Sequence, residues 1–272
     1  MEYFTECYWG QVFAFIFGTI VGSFLNVCIV RLPHGHSVVS PGSHCRHCQK
    51  PIQWYDNIPL LSYILLRGRC RNCGKYFSCR YFWVELITGL FFLIFYYYSG
   101  LTWILVPYLI FISGLIVATF VDIEHRIIPD EISVGGVVVG LVLSVLIPAL
   151  HDAPNILISL ARSLLGILIG GGTIYLMGML GDFLFKKESM GGGDIKLLAM
   201  IGAFLGWQKA LLTFFIAPFF GAMLGIIVKI RTKESVIPYG PFLAMGALIS
   251  LFWFEPIIEW ILGGYGLPRL FP

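Results

Sequence analysis

Eight stretches of the chain are almost continuously apolar, at roughly 11–31, 82–99, 102–121, 129–150, 157–182, 194–205, 208–229 and 239–262. Most approach the ~20 residues that a helix needs to cross the hydrocarbon core of a bilayer. In lipid, only a helix or a closed barrel satisfies its own backbone hydrogen bonds, and runs of this length predict helices. The sixth stretch is short. Its Gly-rich entry and the turn at Gly206-Trp207 predict a half-penetrating helix or the first limb of a tight hairpin. One sizeable polar tract, 32–81, separates the first two apolar runs. The expectation is an all-α polytopic membrane protein with about eight transmembrane helices and a small loop domain between the first and second. Its parts are then a first transmembrane segment at 1–31, a loop domain at 32–81 and a helix bundle at 82–272.

Composition agrees with that class. Hydrophobic residues make up 58% of the 272 and charged residues 12%, where soluble domains carry about 25% charged residues. Glu2 and Glu6 stand where a cleavable signal has basic residues, and no small-residue cleavage site follows, so the first run is expected to stay as a span.

The net charge of +3 says less than its placement. Arg31, Arg46, Lys50, Arg67, Arg69, Arg71, Lys75 and Arg80 flank or fill the polar tract, with Asp56 as its only acid. The positive-inside rule makes this tract cytoplasmic. With eight spans both termini are then outside. Arg126, Lys186, Lys187, Lys196, Lys229, Arg231 and Lys233 fall on the inner side of that arrangement, against Arg162, Lys209 and Arg269 on the outer. Gly166, Gly170, Gly171 and Gly172 show small-residue spacing suited to close helix packing.

Cys45-x-x-Cys48 and Cys70-x-x-Cys73 form two knuckles with 21 residues between them. Two thiolates at this spacing hold one side of a tetrahedral ion, and two knuckles complete its shell. A cytoplasmic location argues against disulfides, and the surrounding positive charge favours thiolates. The expected ion is zinc, in a closed structural site that staples a short tract with few core residues. His44 and His47 read as loop residues, and Cys7, Cys28 and Cys79 as unpaired thiols.

Two carboxylates border apolar runs. Asp122 ends the third, and Asp194 opens the sixth behind Gly191-Gly192-Gly193. A carboxylate at membrane depth costs about 2.5–3.5 kcal/mol on insertion scales and is a functional candidate by default. Glycines beside it let another chain approach closely. Both aspartates emerge on the cytoplasmic face and can share a site. Two carboxylates ~4 Å apart repel by ~4 kcal/mol at an effective dielectric of about 20, so such a pair holds a single proton. One member then activates water and the other protonates a peptide carbonyl. Neither a Gly-x-Ser-x-Gly nor a His-Glu-x-x-His pattern offers another hydrolytic centre. Asp130, after Pro129, reads as a helix cap, and capping is the alternative for Asp194 also. Glu124, His125 and Arg126 read as a solvated turn.

These residues resemble the bacterial type IV prepilin leader peptidase/N-methyltransferase family of Gly-x-Gly-Asp aspartyl proteases. The resemblance rests on Gly22-Ser23-Phe24-Leu25-Asn26-Val27 with Arg31-Leu32-Pro33, and on the cysteine pairs with Asp56-Asn57-Ile58-Pro59 and Leu66-Arg67-Gly68-Arg69-Cys70 between them. It continues through Val121-Asp122 with Ile128-Pro129-Asp130, Met190 through Leu197, and Ile237-Pro238-Tyr239-Gly240-Pro241-Phe242. It implies that Asp122 and Asp194 cleave the basic leader of prepilins or pseudopilins at the cytoplasmic face of a bacterial inner membrane. It further implies methylation of the new N-terminal amine from S-adenosylmethionine, with the cysteine loop associated with that second activity. Arg46 and Phe82 stand where proline is usual in the family, and Tyr239 where phenylalanine is.

No glycine loop of the Rossmann type marks a methyl-donor cradle. Asp56, Asn57 and Glu85 are polar candidates on the inner side, each with a structural role as the alternative. The turn at 237–241 is either a clamp for an extended peptide or simply the start of the last helix, the second being favoured. The rival function is a transporter with proton- or cation-coupling carboxylates. Asp122 and Asp194 near the inner face, and Glu255 and Glu259 near the end of the last run, disfavour it. A third reading is a zinc-loop scaffold for an assembly machine, in which the aspartates are dispensable. The partners expected are prepilins and the bilayer, and no nucleic acid.

Overall fold

The computed structural model describes residues 2–186, 190–232 and 238–263. Its elements are α1 (Glu2–Arg31), α2 (Leu61–Leu65), α3 (Arg80–Ser99), α4 (Leu105–His125), α5 (Asp130–Leu146), α6 (Ile156–Phe185), α7 (Gly192–Thr232) and α8 (Gly240–Gly263), with short 3-10 turns between some of them. Among the described residues there is no β-strand, only two isolated bridges. Lys187, Lys233, Ile237 and Arg269, invoked above, lie outside the described residues.

Six of these helices, α1, α3, α4, α6, α7 and α8, are long and apolar enough to cross a membrane. The eight apolar runs do not map one to one onto spans. The fourth becomes α5, whose 17 residues sit at the lower limit for crossing. The sixth and seventh both fall in α7, which is broken at Gly206 (φ 78, ψ 170). This break is a reversal. A Cβ placed on Gly170 would lie 2.6 Å from the Leu198 carbonyl oxygen and 3.6 Å from the Ala210 Cβ. Residues twelve apart in an unbroken helix are separated by about 18 Å, so the chain must fold back. The tight-hairpin expectation is met, and Gly206 supplies the positive φ that the turn requires.

The chain forms two compact units, one running to Val121 and the other from Asp122. In the first, α1 packs on α3 through small residues: a Cβ on Gly18 would fall 2.8 Å from the Gly89 Cα, and one on Gly22 would fall 2.8 Å from the Glu85 Cα. Polar groups buried at this contact are largely satisfied by backbone. Thr88 Oγ1 donates to the Val84 carbonyl (2.6 Å), and Asn26 Nδ2 donates to the Tyr81 carbonyl (3.0 Å).

In the second unit α6 packs against the α7 hairpin. Gly166 and Gly202 meet backbone to backbone, a Cβ on either lying 2.0 Å from the other's carbonyl oxygen. The glycine spacing in α6 is therefore a packing device at Gly166 and Gly170. Gly172, which meets nothing within 4 Å, does not share it. Ser163 Oγ donates across the contact to the Ala203 carbonyl (2.8 Å). In α8 the ring of Pro256 cannot accommodate a regular preceding turn, and Trp253 leaves helical geometry (φ −125, ψ 20). The outward faces stay apolar, with Leu168, Phe219 and Trp260 all exposed, as lipid contact requires.

Candidate active site

Asp122 stands in the last turn of α4, and its side chain is buried (5% exposed). Its Oδ2 accepts a hydrogen bond from the backbone N–H of Gly240 at 2.7 Å. Gly240 is the first residue of α8, so this N–H is one of the donors that a helix N-terminus leaves without an internal partner. Glycine is required for the approach: a Cβ there would lie 2.9 Å from Asp122 Oδ2 and 3.3 Å from its Cβ. The turn before α8 thus does start the helix, as favoured above, and also grips the aspartate.

Asp194 sits in the first turn of α7, inside the helix rather than at its cap. It is half-buried and interacts electrostatically with Asp122. The two carboxylates therefore lie within electrostatic reach of each other in one compact unit. The three glycines before Asp194 have three different surroundings. A Cβ on Gly191 would sit 3.2 Å from Asp194 Oδ2, one on Gly193 would press on Ile128 (3.1 Å to its Cβ), and one on Gly192 would meet nothing within 4 Å. Clearance at the carboxylate explains the first, and packing explains the third.

Tyr239 completes the cluster. Burial, then the negative charge of Asp194, push its phenol above the usual range. Its hydroxyl is buried without a hydrogen-bond partner among the described residues. The sequence marked this position only as a departure from phenylalanine. Asp130 is corrected: Pro129 occupies the N-cap of α5, and the exposed Asp130 carboxylate instead accepts from Lys196 Nζ at 2.7 Å. Glu124 and His125 are exposed at the end of α4, as expected of a solvated turn.

In the other unit the four cysteines converge. The Sγ atoms of Cys45, Cys48, Cys70 and Cys73 all lie within 4.8 Å of one another, with Cys45–Cys73 at 3.8 Å and Cys48–Cys70 at 4.0 Å. Four sulfurs at the Zn–S distance of 2.3 Å in a tetrahedron are spaced about 3.8 Å apart, so the donor set fits zinc. Both knuckles close alike. Cys45 N–H donates to the Lys50 carbonyl while its own carbonyl accepts from Gln49, and Cys70 does the same with Lys75 and Gly74. Burial raises the Cys45 thiol, but hydrogen bonds from the Cys48 and His47 backbone and from the Cys70 and Cys48 thiols outweigh it, bringing the group to about 7. The Lys75 N–H lowers Cys73, yet burial and the three neighbouring thiols push it up to about 11. Crowded sulfurs of this kind resist holding several negative charges without a cation among them. Cys28 and Cys79 are free thiols, and the side chain of Cys7 lies outside the described residues.

Asp56 anchors the second knuckle. Its carboxylate takes a forked contact from Arg71 (Nε to Oδ2 2.8 Å, Nη2 to Oδ1 2.6 Å), and these hydrogen bonds hold it below the usual carboxylate range. Glu85, buried on α3, accepts from the Leu60 N–H at 2.8 Å. Leu60 has the positive φ of 59°, which leucine rarely adopts. Both acids therefore hold the loop's shape.

Comparison with known proteins also divides the chain in two, ahead of the boundary at Val121. Residues 16–99 match the bacterial peptidase A24 N-terminal domain, and residues 109–226 match the type IV leader peptidase family. A prepilin leader peptidase/N-methyltransferase of Myxococcus xanthus is 40% identical over 84% of this chain and 67% of its own. The protein of that name from Legionella pneumophila is 33% identical over 91% of this chain and 93% of its own. The type 4 prepilin-like proteins leader peptide-processing enzyme of Escherichia coli O78:H11 is 33% identical over 89% and 93%. No solved structure matches the chain. With both domain models in order and two of these relatives aligned over 93% of their own length, the chain belongs to the type IV leader peptidase family.

Proposed function

We propose that this protein cleaves the leader peptide of type IV prepilins or pseudopilins with an Asp122–Asp194 dyad and then N-methylates the new terminus from S-adenosylmethionine. What supports the first part is the placement of two carboxylates at helix ends in one unit, within electrostatic reach of each other, one of them gripped by the Gly240 N–H. One carboxylate takes a proton from water, which attacks the scissile carbonyl. The other gives its proton to the carbonyl oxygen, and the tetrahedral species collapses with the proton passing to the leaving amine. The Gly240 N–H holds the Asp122 carboxylate in place through this sequence, and Gly191 leaves room beside Asp194 for an extended peptide. The second activity draws its support from the names of the relatives.

Cys45, Cys48, Cys70 and Cys73 hold a structural zinc that staples the 32–81 domain. The protein lies in the bacterial inner membrane with this domain and the dyad at the cytoplasmic face and both termini outside, in keeping with the placement of its basic residues. The prepilin helix lies in the bilayer and its basic leader in the cytoplasm. Family membership removes the basis for the transporter reading.

The test is mass spectrometry of a co-expressed prepilin with wild type, Asp122→Asn and Asp194→Asn. Each variant is expected to lose cleavage by about a hundred- to ten-thousandfold while remaining in the membrane. Wild-type processing by either one overturns the dyad.

A further inference from the structure

The unit that ends at Val121 contains a cavity of about 830 Å³, well within the range of small-molecule sites. Neither Asp122 nor Asp194 is among the residues that line it. Its walls come from the end of α1, the start of α3 and the 32–81 domain, and all three polar candidates, Asp56, Asn57 and Glu85, are among them. The two acids among them were accounted for above as props of the loop, which leaves the cavity itself without an assigned role.

The wall chemistry is graded. Asn26, Ser62 and Glu85 are buried, whereas His34, His36, Arg46 and Arg69 are exposed. Aromatic rings from Tyr63, Phe77 and Tyr81 and aliphatic groups from Val27 and Ile52 lie among them. Asn26 Nδ2 is spent on the Tyr81 carbonyl, which as a pure acceptor fixes the orientation of the amide. Its Oδ1 is left buried and without a partner among the described residues, a state that ordinarily costs about 1–3 kcal/mol. Glu85 spends Oε2 on the Leu60 N–H and retains further lone pairs. The buried part thus offers acceptors and one carboxyl group, and the exposed part offers cations.

S-adenosylmethionine is complementary to this arrangement. It carries a sulfonium cation and a flat base with an amino donor in one part, and a free carboxylate in another. We infer that this cavity is the methyl-donor site, with Glu85 and Asn26 in its buried wall facing the adenosyl-sulfonium part and the arginines of its rim facing the carboxylate. The placement rests on the methyl-transfer activity proposed above. It also gives the four cysteines a reason to matter for methylation: Ser43, His44 and Arg46 beside the first knuckle and Arg69 beside the second all line the cavity. Zinc there shapes the donor site without touching the donor.

Equilibrium binding of S-adenosylmethionine to the full-length protein in detergent, with ultraviolet cross-linking of the bound donor mapped by peptide mass spectrometry, tests the placement. The cross-link is expected within residues 23–85. Glu85→Gln is expected to bind about ten- to a hundredfold more weakly, the worth of a hydrogen bond to a charged group. Because Glu85 also holds Leu60, a second variant, Val27→Trp, fills the cavity from a different wall and is expected to abolish binding. Monodisperse elution and the helical circular dichroism signal report that each variant folds. A cross-link confined to residues 122–263, or wild-type affinity in both folded variants, overturns the placement while leaving methylation intact. A wild-type protein that cleaves leaders and binds no donor overturns the methylation reading and the placement together.

Discussion

The Gly240 amide donates to Asp122 Oδ2 at 2.7 Å across 118 residues of sequence. The contact ties the end of α4 to the start of α8 and leaves no room for a side chain on the donor residue. Gly240→Ala would place a methyl group 2.9 Å from the carboxylate oxygen, closer than atoms of these kinds approach. Cleavage of a prepilin leader is expected to fall by at least about tenfold, the order of one lost charge-assisted hydrogen bond, with the protein still inserted. A cleavage time course in proteoliposomes checks this.

The glycine run ahead of Asp194 predicts a graded series. Gly192→Ala meets open space and is expected to cleave like wild type. Gly191→Ala crowds the Asp194 carboxylate at 3.2 Å and Gly193→Ala presses on Ile128 at 3.1 Å, so both are expected to slow cleavage. Equal loss in all three variants would mean that backbone freedom, not clearance, is what the run supplies.

Metal removal is expected to act on one unit alone. The purified protein should carry about one zinc per chain by mass spectrometric metal analysis. Chelation, or Cys→Ser at Cys45 and Cys70, should lower the thermal midpoint of the 32–81 domain and the extent of prepilin methylation. Leader cleavage should persist, because Asp122 and Asp194 belong to the other compact unit.

Gly166 and Gly202 predict a folding defect with no chemistry in it. Leucine at either position would lie against backbone, which cannot rotate away as a side chain can. Overpacking of this kind costs about 1–3 kcal/mol or more, and aggregation on detergent extraction is expected. Gly172→Leu, facing open space in the same helix, should extract normally.

His151 supplies a pH dependence. It is buried beside the hairpin turn, its Nδ1 lying 3.5 Å from where a Cβ on Gly206 would stand. Burial, with the positive charges of Lys209 and Arg162 adding, lowers it from 6.5 to about 4 against the opposing pull of the Ala203 backbone and Asp152. The folded chain therefore resists a proton that the unfolded chain accepts. The stability this group contributes is present above about pH 6.5 and is lost as pH falls towards 4. Thermal unfolding at pH 7.5 and pH 5 should show a drop in midpoint that is smaller in His151→Gln.

Much of the site was legible because its signals are local. Two cysteines at x-x spacing describe a knuckle by themselves, and the structure brings both knuckles together as that spacing implied. An acid at the end of an apolar run is costly wherever the bundle places it, which singled out Asp122 and Asp194. The same local view misread Asp130 as a cap, because Lys196, 66 residues away, cannot be seen from Pro129-Asp130. It also left the sixth run open between a half-penetrating helix and a hairpin limb, since hydropathy records length and not direction.

Sequence by itself determined the helical membrane class, the family, the two cysteine knuckles and the two candidate aspartates, all properties of residue type at short spacing. Only the tertiary structure decided what those residues meet: the Gly240 N–H on Asp122, the reversal at Gly206, the buried hydroxyl of Tyr239, and the cavity that unites Asn26 with Glu85. The reason is that these contacts join helix ends and facing helix surfaces far apart along the chain. Their partners are chosen by how the helices pack, which no short stretch of sequence contains.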